Sequence, residues 1–185
     1  DSEYGWEKLF SEHLYKAYSK NYGFEVRIAR YHNIYGPRGT WYGGKEKSPA
    51  AICRKIGLLP SQGGEIEVWG DGLQTRSFLY IDECIEATRR LMKSDVKDVL
   101  NIGSEEMVSI NELVDIVAKV SKKNVTKNYI KNAPVGVRGR NSQNDLIKSK
   151  LKWNYKLSLE EGIFMTYQWI SEQILKMDNK KLLIS

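Results

Sequence analysis

Apolar positions recur along this chain with two different spacings. Near the start, Trp6, Leu9, Phe10, His13, Ala17 and Tyr18 fall three or four apart, which places side chains on one face of an α-helix. The pattern predicts an opening helix whose stripe faces a core and which stops at Gly23. FEVRIARYHNIYG then passes from alternation to an apolar run and predicts a strand entering a loop. GPRGTWYGGKEK is too rich in glycine for regular structure, and SPAAICRKIG restarts a helix with Pro49 in its first turn. In EIEVWGDGLQTRSFLYI, Asp71-Gly72 lies between two β-rich runs and predicts a hairpin. DECIEATRRLMK predicts an amphipathic helix and VLNIG a short strand. Ser109 with Glu112, and Ser158 with Glu161, have capping-box spacing, so helices are expected to begin at both serines. The last helix carries a stripe of Leu159, Ile163, Tyr167, Ile170 and Ile174, and KNAPVGVRGRNSQN before it predicts a polar loop. Trp69 and Tyr80 are expected to pack in the core.

Strands alternating with helices give an α/β fold class. The strands are few, and neither G-x-G-x-x-G nor G-x-x-x-x-G-K-[ST] occurs, so the chain reads as the second half of an α/β enzyme that begins inside its fold. Its 185 residues are enough for a real core, and 41% hydrophobic with 28% charged residues is an ordinary globular composition. No apolar run approaches a membrane span, and no leader pattern is visible. The first residue is Asp, which is what a processed chain or the ordered part of something longer would show.

Charge changes the picture only a little. The net +6 is concentrated between Lys119 and Lys152 and admits nucleic acid, a membrane surface or a phosphorylated small molecule. No RNP motif, zinc finger or heptad-linked basic region is present, so neither nucleic acid nor membrane is the expected partner. Cys53 and Cys84 lack C-x-x-C spacing and are expected to be reduced, buried hydrophobes of a cytoplasmic protein. With two histidines, His13 and His32, no metal site is expected.

One pair carries candidate chemistry. Tyr4 and Lys8 are one helical turn apart and lie nearly opposite the apolar stripe, so they meet either water or a site. A phenol titrates near ~10 and is no base at neutral pH unaided, but a nearby ammonium favours the phenolate. The same ammonium can hydrogen-bond a ribose. Y-x-x-x-K also arises by chance in many helices, and spacing alone does not decide.

The surrounding blocks do more. YGWEK, RYHNIYGPRG, VWGDGLQTRSFLYIDE and LNIGSEEMVSINEL, in this order, resemble the extended short-chain dehydrogenase/reductase family, the NAD-dependent nucleotide-sugar epimerases and dehydratases. The likeness runs from Tyr4 to about Ile170. GTWYGGKEKSPAAICRK, GDGLQTRSF and GVRGRNSQN are similar to the branch that acts on a GDP-hexose. The resemblance implies the C-terminal part of a Rossmann-type doubly wound sheet plus a smaller α/β substrate-binding domain. Residues 1–47 would end the cofactor domain and 48–185 would mainly bind substrate, with about 75–103 returning to the first. It implies NAD as cofactor, a homodimer, and a Gly-rich turn, a Ser/Thr and a cysteine located before Asp1; neither Cys53 nor Cys84 takes that cysteine's place. Tyr4 would take a hydroxyl proton as hydride leaves for NAD, and Lys8 would hold the cofactor ribose. Lys47, with Lys45 as a near neighbour, would be the base that moves protons at carbons 3 and 5. Asn33 would hold substrate, although an Asn before Gly-Pro also suits a turn. Arg54, Lys55, Gln74, Arg76 and Arg140 would meet the GDP moiety, with Arg138 the alternative to Arg140 and a plain helix-surface place the alternative for Lys55. Guanidinium forks suit a diphosphate because they donate paired hydrogen bonds.

Overall fold

A computed structural model describes residues 3–134 and 136–182. In chain order the elements are α1 (Glu3–Tyr22), β1 (Ala29–Tyr31), β2 (Ile34–Tyr35), α2 (Ser48–Gly57), β3 (Gly63–Trp69), β4 (Thr75–Ser77), β5 (Leu79–Tyr80) and α3 (Ile81–Lys93), followed by β6 (Leu100–Ile102), β7 (Met107–Ser109), α4 (Ile110–Ser121), β8 (Asn124–Ile130), β9 (Gly139–Arg140), α5 (Asp145–Leu151) and α6 (Leu159–Leu182). β1 pairs with β6, β2 with β5 and β3 with β8, all in parallel, and β4 is flanked by antiparallel β7 and parallel β9. Parallel pairs joined through helices are the α/β class that the alternation predicts.

The local signals for helix ends hold. Gly23 takes φ 74 and its N–H donates to the Ser19 carbonyl, ending α1. Pro49 lies in the first turn of α2. Both capping boxes form: Ser109 with Glu112 opens α4, and Ser158 with Glu161 opens α6. Lys123 closes the other end of α2 by donating to the carbonyls of Ile56, Gly57 and Leu59.

Three expectations are corrected. The stripe on α1 does not face a core, for no residue of α1 is buried and Trp6 and Phe10 stand in the open. Helical spacing marks an apolar face but cannot say whether a partner layer lies against it. The Asp71-Gly72 turn forms, with Asp71 Oδ1 accepting the Leu73 N–H, yet β3 and β4 do not make a hairpin. β3 is drawn into a full-length parallel pairing with β8, while the turn docks on α4, whose Asn111 N–H donates to the Gly72 carbonyl at 3.0 Å. Trp69, at the end of β3, is 52% exposed because the core side of that strand is taken by Ile66 and Val68.

The core has two clusters. In the larger, α2, α4 and α6 pack through Ile56, Leu113, Val114 and Ile163 against Ile66, Val68 and the rings of Tyr35, Phe78 and Tyr80. The smaller joins α3, β6 and α5 through Leu91, Leu100, Ile102, Ile147 and Trp153. Both cysteines are buried, and burial pushes the Cys53 thiol up to about 12. Among the described residues no helix is long and apolar enough to cross a membrane.

Candidate functional site

The Gly-rich segment between β2 and α2 separates two cavities. Its backbone needs glycine at two positions in particular, Gly43 and Gly44, where φ is 99 and 83. The larger cavity, about 760 Å³, is lined by Gly36, Arg38 and Thr40, by Lys45 and Lys47, and by Asp82 and Ile85 of α3. The smaller, about 360 Å³, is lined by Gly44, Glu46 and Ser48, by Arg54 and Lys55 of α2, and by Trp69, Gln74 and Arg76. Consecutive residues 44 to 48 thus face alternate cavities. That is what an extended backbone does with its side chains, and Lys47 is extended at φ −75 and ψ 161, just before α2 begins.

The smaller cavity is cationic and only partly satisfied. Arg54 pairs with Glu46 at 2.7 Å, and its Nε is buried with no partner among the described residues. Gln74 donates through Nε2 to the Trp69 carbonyl at 3.1 Å, which fixes the amide and leaves Oε1 buried and without a partner there. Arg76 donates to the carbonyls of Thr75 and Val137. Lys55 Nζ donates to the Glu67 carbonyl. Arg140 stands opposite Arg76 in the β4–β9 register. Burial first, and then the Arg140 charge, lower the Arg76 pKa from its ordinary value. Two guanidiniums in register on neighbouring strands favour an anion beside them.

The structure brings together five of the residues expected to bind substrate phosphate or base, and keeps others apart. Arg54, Lys55, Gln74 and Arg76 share one cavity, with Arg140 beside Arg76. Arg138 accepts the Thr75 N–H with its backbone carbonyl. Lys47 faces the other cavity together with Lys45. Asn33 lines neither cavity: at φ 46 it makes a turn, and its side-chain amide donates to the Ser77 carbonyl at 2.9 Å. Tyr4 and Lys8 also line neither. They sit together on the open face of α1, with Lys8 Nζ 5.1 Å from the Tyr4 ring centroid and 3.0 Å from Glu7. The hydrogen bond that Lys8 donates to Glu7 raises the Lys8 pKa, so the ammonium is charged at neutral pH. An open phenol and an ammonium one turn apart are a donor set that fits the ribose end of a dinucleotide.

Sequence reasoning missed Glu46 and Asp82, which line the cavities, and Tyr42, whose ring lies 5.9 Å from the Arg54 guanidinium carbon. The signal for Glu46 was the alternation K-E-K itself, in which the middle residue faces away from the two lysines.

A family model described as NAD dependent epimerase/dehydratase family matches residues 1–103, more than half of the chain. GDP-mannose 3,5-epimerase of Arabidopsis thaliana is 54% identical over 173 residues, which are 94% of this chain and 45% of that protein. Among solved structures, UDP-glucose 4-epimerase of Thermotoga maritima with UDP-glucose superposes with a TM-score of 0.84 at 26% identity, over 92% of this chain and 54% of the other. UDP-glucuronic acid 4-epimerase of Bacillus cereus, in complex with UDP-glucuronic acid and NAD, gives 0.79 at 29% identity over 93% and 53%. The chain spans about half the length of the relatives it matches.

Proposed function

The chain belongs to the NAD dependent epimerase/dehydratase family, and on that premise we propose that it is the C-terminal half of a GDP-mannose 3,5-epimerase, acting as a homodimer in the cytoplasm. In this reading residues 1–47 and about 75–103 complete the cofactor domain, and the rest binds substrate. The observation that carries it is the alternation at 44–48, with a lysine facing the larger cavity and a cationic, under-satisfied cavity directly behind it. A nucleotide sugar has the same two parts, a hexose and a charged diphosphate.

NAD, when bound, supplies a hydride acceptor for carbon 4 of the hexose. Tyr4 takes the proton of the carbon 4 hydroxyl, and Lys8 holds the ribose. With carbon 4 at the carbonyl level, the hydrogens on carbons 3 and 5 become acidic. Lys47 moves a proton at these positions, after which carbon 4 regains its hydrogen and Tyr4 returns the proton to the oxygen, so that configuration alone is changed. Arg54, Lys55, Arg76 and Arg140 hold the diphosphate, Gln74 offers its free Oε1 to the base, and Asn33 keeps the substrate wall in place through Ser77.

The test is incubation of the full-length protein with GDP-mannose and NAD in heavy water. Deuterium at carbons 3 and 5 is expected, with a loss of about 10²- to 10⁴-fold in Lys47→Ala. An unlabelled, unchanged sugar nucleotide overturns the reading. The likeness to 4-epimerases favours a second reading, 4-epimerisation alone, in which Lys47→Ala stays active and no solvent deuterium enters the ring.

A further inference from the structure

Glu46 is a carboxylate in a glycine-rich loop, yet its side chain is only 5% exposed. Oε1 accepts from Arg54 Nη2 at 2.7 Å, and Oε2 accepts from the Gly44 N–H at 2.7 Å. Burial pushes the carboxyl up, but the backbone hydrogen bonds and Arg54 together outweigh it and hold the pKa below the ordinary 4.5. Arg54 is steadied from another side by the Tyr42 ring, whose centroid is 5.9 Å from the guanidinium carbon. Glu46 therefore clamps the loop onto α2. The next residue is Lys47, extended and facing the opposite cavity. Upstream, the left-handed Gly43 and Gly44 lend the backbone little stiffness. The clamp and the start of α2 are then what set the position of Lys47.

Resting on the epimerase reading above, we propose that Glu46 is a positioning residue, which through Arg54 and Gly44 fixes segment 44–47 and so the direction from which Lys47 meets the sugar. Arg54 is shared between the clamp and the anion cavity, with Nε still free there. Seating of the diphosphate and placement of the base are thereby coupled across a single peptide unit.

The test uses the full-length protein with Glu46→Gln, which keeps an acceptor for Gly44 but withdraws the charge that holds Arg54. Glu46→Asp keeps the charge on a shorter arm and carries the test if the Gln variant does not fold. Two quantities are read: kcat and KM for GDP-mannose, and the rate at which Lys47 of the resting enzyme is acetylated by an amine-selective reagent, followed by peptide mass spectrometry. In Glu46→Gln, kcat should fall about 10- to 100-fold, as expected for a misplaced catalytic group, with KM nearly unchanged. Lys47 acetylation should change severalfold, and Asp should recover part of both. A wild-type kcat overturns the proposal. So does a rise in KM alone, or a fall in kcat with Lys47 acetylation unaltered. If the wild-type protein epimerises nothing, the epimerase reading fails, and acetylation decides the role of Glu46 separately: equal Lys47 rates in wild type and Glu46→Gln overturn it, and a severalfold change sustains it.

Discussion

Glu12 accepts two hydrogen bonds from Arg30, 2.6 and 2.7 Å long, and so helps tie α1 to β1 where the helix buries nothing. The bond from Arg30 holds the Glu12 carboxyl below its ordinary 4.5. A carboxyl depressed in the folded state contributes stability that is complete above the unfolded value and lost as pH falls through the folded one. Glu12→Gln should therefore unfold at a lower temperature than wild type at pH 7, and the gap should close as pH drops below 4.5, as thermal scans across pH would show. At this scale the sequence was readable where a motif is self-contained. The capping serines, Gly23 and Pro49 act on their own neighbours, and each does what its spacing says. Trp69 was not readable, since which side of β3 is covered depends on elements far away in the chain.

Among the elements, α6 makes a contact that overrides propensity. Gly162 lies in its first turns, and a Cβ there would collide with the Tyr35 hydroxyl and come within 3.0 Å of the Tyr80 ring. Alanine in place of glycine favours an exposed helix by about 1 kcal/mol. Here the buried rings cannot move aside, and overpacking costs about 1–3 kcal/mol. Gly162→Ala should lower the unfolding midpoint, and adding Tyr35→Phe should restore part of the loss in a double-mutant cycle. The hairpin teaches the same lesson about the sequence. Asp71-Gly72 specified a turn correctly, but pairing is decided by which strand offers the longer partner, and β8 matches all seven residues of β3. Local chemistry fixes where a chain bends, and non-local pairing fixes where it goes next.

Across this chain, which spans about half the length of its relatives, burial is unevenly placed. The two core clusters hold α2 to α6, whereas α1 has no buried residue and presents Tyr4, at 68% exposure, together with Trp6 and Phe10. Amide exchange in α1 of this 185-residue chain should run at least about 10-fold faster than on the buried face of α4, and mass spectrometry of exchanged peptides checks it. Which of the candidate residues share a cavity was not legible in the sequence. Arg54, Gln74, Arg76 and Arg140 come from α2, from a turn and from two paired strands, and only the folded chain gathers them. Segment 44–48 then carries a constraint of a different kind from composition. Because its side chains face the two cavities in turn, one inserted or deleted residue would exchange the faces, sending the lysines into the smaller cavity and the glutamate into the larger. Two such residues would restore the order. The parity of this loop's length, as well as its lysine, is what a descendant of this protein must keep.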